Sequence, residues 1–140
     1  MHALTGSWIA NVDRSRRDPN HQFHRATMRF EVAGSAVSIS YGGVNASGRQ
    51  EQGALTVVAD GQEQSIPEVP GMVSVSTLQQ DGLRTIGQLN GTVMGRAAYE
   101  VAVDGTTMTA TVSGVDAAGQ SFEQVIVFER EDPVGGVITP

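Results

Sequence analysis

Turn-forming dipeptides punctuate almost the whole chain, and this spacing restricts the fold more than any other feature. They include Gly34-Ser35, Gly42-Gly43, Ser47-Gly48, Asp60-Gly61, Asp81-Gly82, Asn90-Gly91, Asp104-Gly105 and Ala118-Gly119. Asp-Gly and Asn-Gly supply the positive φ that tight hairpin turns require. Between the turns lie short segments that alternate apolar and polar residues, such as Met28-Arg29-Phe30-Glu31-Val32 and Val37-Ser38-Ile39-Ser40-Tyr41. Alternation with a period of two marks strands that bury one face. Eighteen valines and eleven threonines reinforce that preference. The rhythm predicts about nine or ten strands in a meander. So long a meander must close or leave its edges exposed, so an all-β, closed, antiparallel up-and-down barrel of about eight to ten strands is expected. A two-sheet sandwich is the competing solution.

Little helix fits this pattern. The periodicity lapses between Asp13 and Gln22, where a short helical or irregular stretch is expected. It lapses again at Ile66-Pro67-Glu68-Val69-Pro70-Gly71, whose prolines cannot serve a central ladder. At 140 residues the chain is expected to make one domain, residues 1–131, followed by a frayed tail over 132–140. One internal echo stands out. Gly43-Val44-Asn45-Ala46-Ser47-Gly48 matches Gly114-Val115-Asp116-Ala117-Ala118-Gly119, suggesting equivalent hairpins in two halves of a barrel.

The chain has no cysteine, which excludes disulfides and thiolate metal sites. It has no lysine, which excludes Schiff-base chemistry. The net charge of −6 opposes a nucleic-acid surface. Charge is uneven: Arg14, Arg16, Arg17, Arg25 and Arg29 make the first thirty residues basic, and acids dominate the rest. That segment reads either as an anion-binding rim or as a solvated stretch balanced by acids elsewhere. No apolar run is long enough to span a bilayer, and the first residues lack a signal-peptide pattern, so a soluble cytoplasmic protein is expected.

Leu4-Thr5-Gly6-Ser7-Trp8-Ile9-Ala10 resembles the G-x-W start of the lipocalins and fatty-acid-binding proteins, the calycin group. The resemblance implies that Trp8 closes one end of a barrel and that an arginine late in the last strand packs across it. Arg130, after Val125-Ile126-Val127-Phe128-Glu129, matches that arginine. The rhythm of the chain is similar to small bacterial lipocalin-like domains. The stretch from Asp13 to Gln22 is too short for the helical lid of the fatty-acid-binding proteins, so their ligand type does not carry over.

Alternation assigns faces. Met28, Phe30 and Val32 carry Ala26 and His24 inward. Val37 and Ile39 carry Tyr41. Val101 and Val103 carry Tyr99. Trp8, Ala10 and Val12 share a face, and on the last strand Phe122, Gln124, Ile126 and Phe128 form the more aromatic set. These inner residues are too small to fill a wide barrel, and unfilled volume is costly. Either the barrel flattens or a ligand occupies it.

The expected function is binding of a small, mostly apolar ligand lined by Trp8, His24, Met28, Phe30, Tyr41, Tyr99, Gln124 and Phe128. The alternative is a cofactor-independent isomerase, cyclase or hydratase with His24 as base and Tyr41 or Tyr99 as hydrogen-bond donor. A collapsed structural module is the third option. For the tyrosines, the simpler reading places the rings in the core and the hydroxyls in rim water. His21-Gln22-Phe23-His24, with His2 or Asp18, offers an H-x-x-H metal spacing that works only from a turn or helix, so no metal is expected. No phosphate loop or serine-nucleophile motif occurs, and no cofactor is implied. Monomer and homodimer are both compatible with the sequence.

Overall fold

A computed structural model describes residues 2–19, 22–116 and 118–131. Ten antiparallel strands form one sheet: β1 (Gly6–Arg16), β2 (Phe23–Ala33), β3 (Ala36–Asn45), β4 (Gln50–Val58), β5 (Asp60–Ser65), β6 (Met72–Gln79), β7 (Gly82–Leu89), β8 (Thr92–Val101), β9 (Thr107–Val115) and β10 (Ser121–Arg130). Their order is β4-β3-β2-β1-β10-β9-β8-β7-β6-β5, so consecutive strands pair and β1 also pairs with β10. No helix occurs among the described residues. The sheet curls into a nearly closed barrel. Phe30 on β2 and Tyr99 on β8 meet edge to face across the interior, with centroids 5.4 Å apart. The edge strands β4 and β5 are joined by Ala59 alone, which stitches the seam: its N–H donates to the Ser35 carbonyl at 2.7 Å and its carbonyl accepts from Leu78 N–H at 3.2 Å.

The two ends of the barrel differ. One end is packed by Leu4, Trp8, Phe30, Val37, Leu83 and Met108, all essentially without solvent contact. A turn over residues 2–5 covers this end, with Thr5 N–H bonded to the His2 carbonyl at 3.0 Å. Trp8 Nε1–H donates to the Leu4 carbonyl at 3.0 Å. Arg130 lies over the Trp8 ring, 4.2 Å from its centroid. Its guanidinium donates to the carbonyls of Gly105, Thr5 and Ala3, each at 2.9 Å. Gly6 has φ +132°, and a Cβ there would lie 2.6 Å from Arg130 Nη1. The G-x-W pattern therefore has a local cause. The glycine leaves room for the guanidinium, which the tryptophan two residues later supports.

At the other end the strands are interrupted by bulges. On β2 the pairing steps from Phe23↔Asn45 to Arg25↔Val44, which inserts one extra residue at His24. On β8 it steps from Gly87↔Gly95 to Gln88↔Val93, which inserts Met94. Each bulge faces one copy of the internal echo. A Cβ on Gly43 would strike the Arg25 carbonyl, and one on Gly114 would lie 2.7 Å from the Met94 carbonyl. The hairpins that follow also match. Asn45 Oδ1 accepts from Ser47 and Arg49 N–H at 3.0 Å, and Asp116 Oδ1 accepts from Ala118 and Gln120 N–H at 3.0 Å. The echo is thus a glycine opposite a bulge followed by an Asx-stabilised turn. It recurs six strands apart in a barrel of ten, from β3 to β9, which corrects the half-barrel expectation.

Other expectations are corrected in detail. β1 continues to Arg16 and contains the expected irregularity as an excursion between Asn11 and Arg16, pinned by Ser15 Oγ, which accepts from Val127 N–H at 2.9 Å. β8 ends at Val101, so Val103 is not an inner residue; it lies in the turn, fully exposed. The stretch between Ser65 and Met72 is irregular, as its prolines require. The tail, residues 132–140, lies outside the described residues.

Candidate functional site

The bulged end of the barrel is hollow because its inner positions carry small side chains. Register places Gly87, Gly95, Gly114 and Phe122 in one row across β7–β10, with Thr85, Ala97, Val112 and Gln124 in the next. Over the glycine row lies a hollow of about 290 Å3 lined also by Thr85, Ala97, Val112 and Phe122. A second hollow of about 360 Å3 lies toward β2 and β3, against Phe23, Ala26, Met28, Tyr41, Ile126 and Phe128. It opens where β1 departs from β2, since the two strands pair only over Gly6–Ile9 with Thr27–Phe30. Gln124 lines the second hollow while its neighbour across the ladder, Val112, lines the first.

The structure sorts the expected site residues into three groups. Met28, Tyr41, Gln124 and Phe128 line the second hollow. Trp8 and Phe30 are fully buried in the packed end and serve as plug and floor. His24 is the correction. Alternation predicts it inward, but the β2 bulge breaks the count and turns it to solvent, with Nε2 3.2 Å from the Ala46 carbonyl oxygen. Phe23 takes the inner place instead. A histidine outside the wall cannot act as base on a molecule within it. His21, the other half of the H-x-x-H pair, lies outside the described residues.

Of the three polar side chains expected inside, Tyr41 and Gln124 line the second hollow, whereas Tyr99 packs against Phe30 and lines neither hollow. Tyr99 points inward from β8 and is largely buried; burial among apolar groups raises its phenol above the ordinary tyrosine value. Its hydroxyl has no hydrogen-bond partner among the described residues. Folding therefore favours the neutral phenol, and stability falls as pH rises past about 10, where the unfolded chain ionises first. Spectrophotometric titration of the protein, which has two tyrosines, checks this. Tyr99→Phe should remove a phenolate component that appears only above pH ~10 and should flatten the alkaline loss of stability. Tyr41 is 47% exposed and lies over Gly53, where a Cβ would collide with its ring and hydroxyl. It shields bare backbone on an edge strand.

Gln124 is 9% exposed, and its Oε1 accepts from Asp18 N–H at 3.1 Å. This bond holds the Asp18 backbone beside the second hollow, which Gln124 lines. Arg17 reinforces it by donating to the Phe23 carbonyl and stacking on the Phe23 ring, 5.1 Å from its centroid. From the sequence Arg17 stands out only as one of the arginines of the basic segment, and neither Phe23 nor the glycine row reads as a site feature. Isolated glycines inside alternating strands were the available signal, since they mark bulges or bare inner walls.

The basic segment is partly neutralised from β10. Arg14 pairs with Glu129 at 3.7 Å and Arg16 with Glu123 at 3.2 Å. Among the described residues, no helix is long and apolar enough to cross a membrane.

No family model matches the chain, and no curated protein matches it. Its fold is nevertheless shared with solved structures. The fluorescent protein UnaG is 13% identical with a TM-score of 0.60, over 91% of this chain and 97% of that one. The zebrafish ileal bile acid-binding protein, solved with cholic acid, is 8% identical with a TM-score of 0.57, over 92% and 99%. Rv2717c from M. tuberculosis is 16% identical with a TM-score of 0.51, over 92% and 93%. These similarities establish a calycin-like up-and-down barrel.

Proposed function

We propose that this calycin-like barrel binds a small, mostly apolar molecule in its open half. The observation that carries the reading is a packed floor of Trp8, Phe30 and Met108 beneath two hollows that glycine and alanine leave unfilled. Apolar walls without partner atoms forgo dispersion and burial energy that a guest restores. The bile acid-binding neighbour, which shares the fold, was solved in complex with cholic acid, and this supports the reading by analogy of fold. The isomerase, cyclase or hydratase alternative requires His24 as base within the hollow, and the ring lies outside.

N-phenyl-1-naphthylamine, a neutral fluorophore, tests the proposal. A saturable rise and blue shift in its emission is expected, together with a higher melting temperature at saturating probe. Ala26→Phe, which fills the second hollow, should weaken binding at least about tenfold with the far-UV spectrum unchanged. Flat emission and an unmoved melting temperature would overturn the reading. Trp8 fluorescence is a poor reporter here, because its indole lies in the plug beneath Arg130.

A further inference from the structure

We infer that Gln124 is the specificity-determining residue of the second hollow, where its side-chain amide donates a hydrogen bond to an oxygen on an otherwise apolar guest. This deepens the binding reading and rests on it. Two polar side chains among the described residues are buried, Ser76 and Gln124. Ser76 Oγ is satisfied by Thr85 Oγ1 at 3.0 Å. Gln124 is satisfied at one end only. Its Oε1 accepts from Asp18 N–H at 3.1 Å. A backbone N–H can only donate, so this bond fixes which end of the amide faces Asp18. Nε2 stands at the other end, without a hydrogen-bond partner among the described residues, on a side chain that lines the hollow and is 9% exposed.

The wall around that donor is apolar. Across the ladder stands Val112, and the next inner position on β10 is Ile126. Ala26, Met28 and Phe128 supply further apolar surface. A buried water is held well only by about two to four polar partners, and a lone N–H among methyl groups and rings does not provide them. An unmet buried donor is costly, so a guest that brings an oxygen to Nε2 gains more there than a hydrocarbon of the same shape. The other polar groups of this hollow are exposed or committed. Gln22, Arg25, Tyr41 and Glu51 line it but stand in water. Asn45 Nδ2 donates to Glu51 Oε2 at 2.9 Å, and Thr27 Oγ1 donates to the Gly42 carbonyl at 3.3 Å. Arg25 is the rival donor among them, and the test separates it from Gln124.

Two probes of nearly identical shape provide the test, 2-acetylnaphthalene and 2-isopropenylnaphthalene, in which a methylene replaces the carbonyl oxygen. Displacement of N-phenyl-1-naphthylamine and thermal shift report their affinities. The unaltered protein should bind the ketone about fivefold tighter, although water also solvates the ketone better. Gln124→Met keeps the length of the side chain and removes the amide. It should erase that preference by weakening the ketone about fivefold while the alkene stays within about twofold. Loss of the Asp18 bond alone would move both probes alike, so their ratio isolates Nε2. Arg25→Met should leave the ratio unchanged. Equal or tighter binding of the alkene overturns the inference, as does a ratio that survives Gln124→Met or is lost in Arg25→Met. In those cases, saturable binding of both probes leaves the small-ligand reading standing. If neither probe binds, that reading falls and this inference with it. Should Gln124→Met fail to fold, the ketone preference of the unaltered protein and its persistence in Arg25→Met carry the test.

Discussion

Arg130→Ala is expected to lower stability by about 3–5 kcal/mol and the melting temperature by roughly 10–15 °C. The guanidinium serves three backbone carbonyls at once and covers the face of Trp8. Removing it leaves acceptors of Ala3, Thr5 and Gly105 without their donor at a half-buried site and opens the indole to water. Each bond from a charged donor contributes about 1.5–3 kcal/mol before compensation by water, and the cation–π contact adds about 1. Lysine should not restore the loss, because a single ammonium cannot span three carbonyls arranged for a planar fork. Urea denaturation checks the magnitude. A red shift of Trp8 emission in the still-folded protein checks the cause. A loss below about 1 kcal/mol would show that the N-terminal turn is held by Trp8 and Leu4 packing instead.

Gly43→Ala is expected to be nearly as damaging, at about 2–4 kcal/mol, although it adds a single methyl group. That methyl would collide with the Arg25 carbonyl, which belongs to the neighbouring backbone and cannot rotate away. Relief requires flattening the β2 bulge, and flattening it restores the alternation that would swing His24 inward. Loss of stability should therefore come with a changed His24 environment, visible as a shift of its ring protons in NMR spectra. Gly87→Ala is the matched control. A Cβ there meets nothing within 4 Å, so the same chemical change should be neutral or stabilising by up to ~1 kcal/mol. If both variants behave alike, the bulge does not impose the glycine at position 43.

These two sites also show how far the sequence could be read. Trp8 and Arg130 lie 122 residues apart in the chain, yet Gly6-Ser7-Trp8 and the terminal arginine were legible as a pair through a known family pattern. The structure supplies the reason, a glycine cleared for the guanidinium. The inward faces of Met28, Phe30, Ile39, Tyr99 and Phe128 followed from alternation, because those segments pair without interruption. His24 did not follow. Its strand carries an inserted residue whose place is set by the partner strand, where Gly43 leaves room for a displaced carbonyl. Alternation counts residues along one strand and has no access to that partner. The echo at Gly43 and Gly114 was visible as a pattern but not as a cause, since the bulges it faces lie on β2 and β8.

The basic segment has the same character. Five arginines near the start read as a rim or as solvated charge, and the difference depends on what lies across from them. β10 brings Glu123 and Glu129 against Arg16 and Arg14, while Arg17 turns onto Phe23. The first two become surface ion pairs worth little, and the third becomes a clasp at the mouth.

Local chemistry alone determined that this chain forms short strands joined by glycine turns and that one face of each is apolar; the pairing of Trp8 with Arg130 came from the family pattern. Periodicity, turn conformation and side-chain volume act over a few residues and are written directly in the order of amino acids. Tertiary pairing decided where the empty volume lies, that His24 faces water, and that the Tyr99 ring meets Phe30 edge to face across the interior. Those outcomes depend on register and bulges between strands distant in the chain, which only the closed sheet brings into contact.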